Sequence, residues 1–121
     1  MATGLPWIRI DSDIASNPKI ADLIAEHGAK GKAAAFVYVA AIGYAAAHQT
    51  DGHIPRGGLL ICHGTPNDAR LLVDAGLFEQ AEKGWQVANY AEHQPTRAVA
   101  EAAAAERSER ARKAAEARWG K

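Results

Sequence analysis

Cysteine is nearly missing from this chain: Cys62 is the only one in 121 residues. No internal disulfide can form, and the composition reads as that of a protein made for a reducing cytoplasm. A long hydrophobic run is missing too. The longest apolar stretch, Ala33 to Ala47, falls about five residues short of the roughly 20 that a membrane span needs, so it is expected to be a buried helix. The start, Met1-Ala2-Thr3-Gly4-Leu5-Pro6-Trp7, has no basic residues leading into an apolar run, and no signal peptide is expected. Arg56-Gly57-Gly58 lacks the lysine that a phosphate-binding loop requires. His48, His53, Cys62 and His63 fit no common metal spacing, because neighbours on a helix such as Cys62 and His63 point apart. Nor does Cys62 have an evident orienting carboxylate or oxyanion feature that would make it a nucleophile. No cofactor, metal, membrane partner or enzymatic activity is expected.

Net charge is zero, but it is unevenly placed. Residues 1–94 carry seven Lys/Arg against ten Asp/Glu, or −3, and residues 95–121 carry seven against four, or +3. A slightly acidic body with a basic tail places any charge attraction for nucleic acid mostly in the tail.

Local signals divide the chain into short elements. Leu5 to Asp11 contains β-formers and reads as a short strand or extended arm. Asn17-Pro18 is a helix start, with Ile20, Leu23, Ile24 and His27 on one stripe and Gly28 as the stop. A second helix is expected over 30–48, apolar nearly all round and therefore central. His53-Ile54-Pro55 suits a very short strand, 56–63 a short helix broken by Gly64, and Thr65-Pro66-Asn67-Asp68 a capped start for a helix over 66–75. Residues 77–88 read as a β-hairpin around Ala81-Glu82-Lys83-Gly84. Asn89 to Gln94 reads as a connector, and Pro95-Thr96 opens an Ala-rich helix over 96–118. The expected core is Leu23, Ile24, Phe36, Val37, Val39, Ile42, Leu59, Leu72, Val73, Leu77, Phe78, Trp85 and Val87. Trp7 and Tyr38 are also expected inside.

The expected fold is mainly α with a small β-hairpin. Strand, short helix, turn, capped helix, strand, loop, strand is the order of a winged helix-turn-helix, over 1–94, followed by a basic Ala-rich C-terminal helix over 95–121. In that arrangement the second helix of the pair faces the major groove with its N-terminal residues. Its residues off the apolar face are read as Asn67, Asp68, Arg70, Leu71 and Asp74. Asn can pair with adenine and Arg with guanine, whereas Arg70 and Asp74, four apart, could instead pair with each other.

Trp7-Ile8-Arg9-Ile10-Asp11, Asn17-Pro18-Lys19, Asp51 to Pro55, Leu72 to Glu79, Gly84 to Val87 and Gln94-Pro95-Thr96-Arg97 together resemble a known group. They are similar to the N-terminal winged-helix domains of phage replisome organisers and DnaD-like replication proteins, and to short helix-turn-helix proteins of actinobacterial phages and prophages. The resemblance covers about residues 5–97 and implies a winged-helix fold, DNA binding, and contacts with replication proteins or with itself. Larger members carry a second helical domain that these 121 residues do not include, so helicase loading is not expected of them.

The function expected is double-stranded DNA binding, replication-related or regulatory. The alternative is an adaptor for a protein of the replication or transcription machinery. A second copy of the chain is a further candidate partner. The candidate DNA-contacting residues are Arg56, Thr65, Asn67, Arg70, Lys83, Arg97, Arg107, Arg110, Arg112, Lys113 and Arg118.

Overall fold

The structure is a computed structural model that describes residues 6–119. Helix α1 (Pro18–His27) starts where Asn17 Oδ1 accepts the backbone N–H of Lys19 at 2.9 Å, which satisfies one of the orphan donors of the first turn. Helix α2 (Ala29–His48) follows after one residue, Gly28. The two helices cross at Gly31, where a Cβ would sit 2.4 Å from the Leu23 carbonyl oxygen. Only glycine permits that approach. The inward face of α2 buries Ala34, Val37, Ala41, Ile42 and Ala45, and it packs on both α1 and α4.

Strand β1 (His53–Pro55), helix α3 (Arg56–Ile61), helix α4 (Pro66–Asp74), strand β2 (Phe78–Ala81) and strand β3 (Gly84–Val87) follow in order. The three strands make one antiparallel sheet in the order β1-β3-β2. The hairpin is therefore part of a three-stranded sheet: β1 pairs with β3, placing Ile54 opposite Trp85, while Phe78 lies opposite Val87 in the β2–β3 pair. Phe78, Ile54, Leu72, Val37 and Val87 are the largest fully buried side chains, so the core lies where α2, α4 and the sheet meet. The connector expected after the hairpin contains a short helix, α5 (Tyr90–His93). The last helix, α6 (Arg97–Trp119), is exposed at every residue from Glu101 onward.

The N-terminal segment differs from its expectation. Residues 7–11 form no strand, and Leu5 lies outside the described residues. The segment is an arm clamped by one side chain. Gln94 Oε1 accepts the Arg9 backbone N–H at 2.9 Å, and Gln94 Nε2 donates to the Arg9 carbonyl at 2.6 Å. Trp7 is consequently half exposed and lies against the Arg9 guanidinium instead of entering the core.

Burial corrects the core in both directions. Phe36 is 58% exposed, because a helix that is apolar all round does not reveal by periodicity which face turns inward. Ile24, Val39, Val73 and Trp85 are only half-buried. Leu71, expected on the free side of α4, is buried. It shares a cavity wall with Leu23 of α1, so α4 is covered on two sides and not one. Asp68 is buried as well, held by the cap described below.

Candidate nucleic-acid interface

The corner between α3 and α4 is set by local hydrogen bonding. His63 N–H donates to the Leu60 carbonyl at 3.0 Å, and Gly64 N–H donates to the Leu59 carbonyl at 2.9 Å. This pair of bonds closes a helix C-terminus with one left-handed residue, normally glycine. Here that residue is His63, with φ of 64°. Gly64 serves a different need: its missing Cβ would lie 2.7 Å from Leu59 Cδ1 and 2.9 Å from Val37 Cγ1. The corner therefore stays pressed against α2.

Helix α4 then begins with a complete capping box. Thr65 Oγ1 accepts the Asp68 N–H at 3.2 Å, and Asp68 Oδ2 accepts the Thr65 N–H at 2.9 Å. Thr65 Oγ1 also donates to Asp68 Oδ2 at 3.0 Å. Asp68, read from sequence as a free surface residue, is thus engaged by the cap, as is the Thr65 hydroxyl. The outward side chains of α4 are Arg70 and Asp74, with Asn67 half-buried. Arg70 Nη2 donates to Asn67 Oδ1. The two side chains best suited to base edges are therefore joined, and the alternative pairing of Arg70 with Asp74 is not the one formed.

Arg56 and Lys83 are joined through their backbones. Arg56 opens α3, and its backbone N–H donates to the Lys83 carbonyl at 3.1 Å. Lys83 sits in the two-residue β2–β3 turn with φ of 59°, and both side chains are exposed. Glu79 and Glu82 are exposed on the same hairpin, so its charge is mixed.

The basic residues of α6 fall into two groups. Arg97 bonds Glu101 at 3.1 Å, Arg110 reaches Glu106 at 3.5 Å, and Arg112 is held by Glu109 and by Glu116, the latter at 2.6 Å. Among the described residues, Arg107, Lys113 and Arg118 have no ion pair. With about 100° of turn per residue, Arg107 and Arg118 stand about 20° apart around the axis, with Arg110 about 60° to one side. All four glutamates lie at least about 100° from Arg107. Arg107 and Arg118 thus form a stripe clear of carboxylate, with Arg110 between it and Glu106, while Lys113 and Arg112 belong to the acidic side.

Sequence reasoning missed the residues that seat these elements. Asp51 Oδ1 accepts the Arg97 N–H at 2.6 Å and so tethers the start of α6. Thr96, already read from sequence as part of the opening of this helix, accepts the Val99 N–H through Oγ1 at 3.4 Å, as a Thr at a helix start does. No comparable signal marks Gln94. A separate cleft of about 100 Å³ lies beside the arm, with Arg9, Asp11, Tyr38, Asn89 and His93 in its walls; none of its lining comes from α3 or α4. Among the described residues no group of three or more His, Cys, Asp or Glu could hold a metal ion, and no helix is long and apolar enough to cross a membrane. No family model, curated protein or solved structure matches this chain.

Proposed function

We propose that this chain is a winged-helix DNA-binding protein, replication-related or regulatory, of the phage or prophage type that its sequence resembles. The observation that carries this reading is topological: α2, β1, α3, α4, β2 and β3 follow one another with sheet order β1-β3-β2. The tight α3–α4 corner then forms the helix-turn-helix and the β2–β3 hairpin the wing. In this reading α4 enters the major groove with Asn67 and Arg70, which exchange their mutual bond for base edges. Arg56 and Lys83 rest on flanking phosphates. Thr65, its hydroxyl engaged in the cap, positions the helix and does not read bases. The Arg107 and Arg118 stripe of α6, with Arg110 beside it, follows the backbone without sequence preference.

A binding-site selection followed by gel shifts tests the assignment. Arg70→Ala relaxes specificity at one position and costs about 1–3 kcal/mol, whereas Lys83→Ala weakens all sequences alike. If both variants bind the selected site as the parent does, α4 is not the reader. The second reading, a protein-binding adaptor, is favoured by the −3 charge of residues 1–94 and by the exposed Glu79 and Glu82 on the β2–β3 hairpin. A chain that selects no duplex at all supports it.

A further inference from the structure

We infer that the cleft beside the N-terminal arm is a binding site for the ammonium group of a short aliphatic amine. The cleft holds about 100 Å³. An apolar cavity of about 150 Å³ accepts benzene, so this one suits a chain of about four carbons. Its apolar walls come from four separate elements: Ile14 in a single helical turn before α1, Ile20 in α1, Ile42 in α2 and Val87 in β3. Ile20, Ile42 and Val87 are core residues, so the core opens to the surface here. Apolar walls with a few polar groups among them are the usual make-up of a small-molecule site.

The polar groups of the cleft are acceptors that the fold leaves over. Tyr38 Oη, the Asn89 side chain and the Asp11 carboxylate all line it. Among the described residues none of the three makes a side-chain hydrogen bond or an ion pair. Asp11 stands close enough to Tyr38 for its charge to act on the hydroxyl. An ammonium group has three N–H donors and no acceptor, and Asp11, Tyr38 and Asn89 offer it an acceptor apiece.

Arg9 decides the sign of the charge. Its guanidinium lies over the Trp7 ring, 5.9 Å from the centroid, and Trp7 is not part of the cleft. That leaves Asp11 and Asp13, neither of them ion-paired among the described residues, against His93 as the one other basic side chain of the walls. A cation meets two carboxylates there, and an anion would be repelled by both. The walls are also set in advance. Gln94, itself part of the lining, holds Arg9 by two hydrogen bonds, and the Asn17 side chain is engaged in the α1 cap. A preformed site loses less on binding. No wall comes from α3 or α4, and this inference does not rest on the DNA-binding reading.

An NMR titration of the full chain tests it, with n-butylammonium chloride as the probe and n-butanol and sodium butyrate as similar chains of different charge. n-Butylammonium shifts the Asp11, Asn89 and His93 amide signals to saturation in the millimolar range, the reach of a ligand of about five non-hydrogen atoms. The alcohol and the carboxylate bind at least about tenfold more weakly. Asp11→Asn, on an exposed residue, raises the dissociation constant for n-butylammonium about tenfold and keeps the melting transition. Tyr38→Phe raises it about threefold and carries the test if Asp11→Asn fails to fold. Nα-acetyl-lysine methylamide presents the same group from a peptide. Tighter binding than n-butylammonium assigns the amine to a lysine of a protein partner and weaker binding assigns it to a free amine; either upholds the site. No saturable shift, an equal response to butanol or butyrate, or unchanged binding by the folded variants overturns the inference.

Discussion

At the scale of single residues, burial decides which side chains keep their ordinary chemistry. The Tyr38 hydroxyl is pushed above its usual 10.0 by burial and then by the charge of Asp11. Tyr90 is raised likewise by burial and then by Asp51. A raised value means that the folded state holds the proton more tightly than the unfolded chain does. The contribution to stability is whole below pH about 10 and is lost as pH rises through the higher folded value. The melting temperature is therefore expected to fall above pH about 10, and Tyr38→Phe should make that fall shallower. Identical alkaline slopes for parent and variant would show that Tyr38 is not linked to folding. Cys62 is buried and its thiol raised by burial, which keeps it protonated.

Residue by residue, the sequence is readable where a side chain's neighbours are local. Thr65 and Asp68 are visible as a box because both partners lie within three positions. Leu71 and Phe36 are not, because their exposure depends on which other helix arrives, and apolar character alone does not say.

At the scale of elements, the two residues of the α3–α4 corner divide one task. His63 bears the left-handed backbone and Gly64 the close approach. Gly64→Ala forces a methyl group against Leu59 and Val37 and should cost about 1–3 kcal/mol. His63→Gly removes a left-handed conformation that disfavours side chains and should gain about 1 kcal/mol. Urea denaturation then ranks the midpoints His63→Gly, parent, Gly64→Ala. If Gly64→Ala matches the parent, the corner is looser than its geometry indicates. From sequence, Gly64 is the obvious helix stop; that the conformational burden falls one residue earlier depends on packing against α2. The helices with caps at Asn17 and Thr65 are legible, as are the hairpin and the short strand at Ile54. The arm is not, since it is held by a hydrogen-bonded clamp from Gln94, 85 positions away.

At the scale of the whole molecule, charge separates twice. The body is acidic and the tail basic, which composition reveals directly. Within the tail the glutamates gather on one side of α6 and leave Arg107 and Arg118 outside the ion pairs described, on the other side. Only helical geometry and the ion pairs together reveal that second separation. If the proposed function holds, the arginine stripe supplies much of the non-specific attraction and α4 supplies the selection. Removing one cation that neutralises a phosphate flattens the slope of log affinity against log salt by roughly 0.9. The most direct measurement is a titration of random duplex DNA with the full chain at several salt concentrations, repeated with the double variant Arg107→Ala, Arg118→Ala. The account predicts salt-dependent binding by the parent and a slope shallower by about 1.8 in the variant, with its melting transition unchanged because both side chains are solvated. A parent that fails to bind duplex at low salt would contradict it, as would a folded variant whose salt dependence equals the parent's.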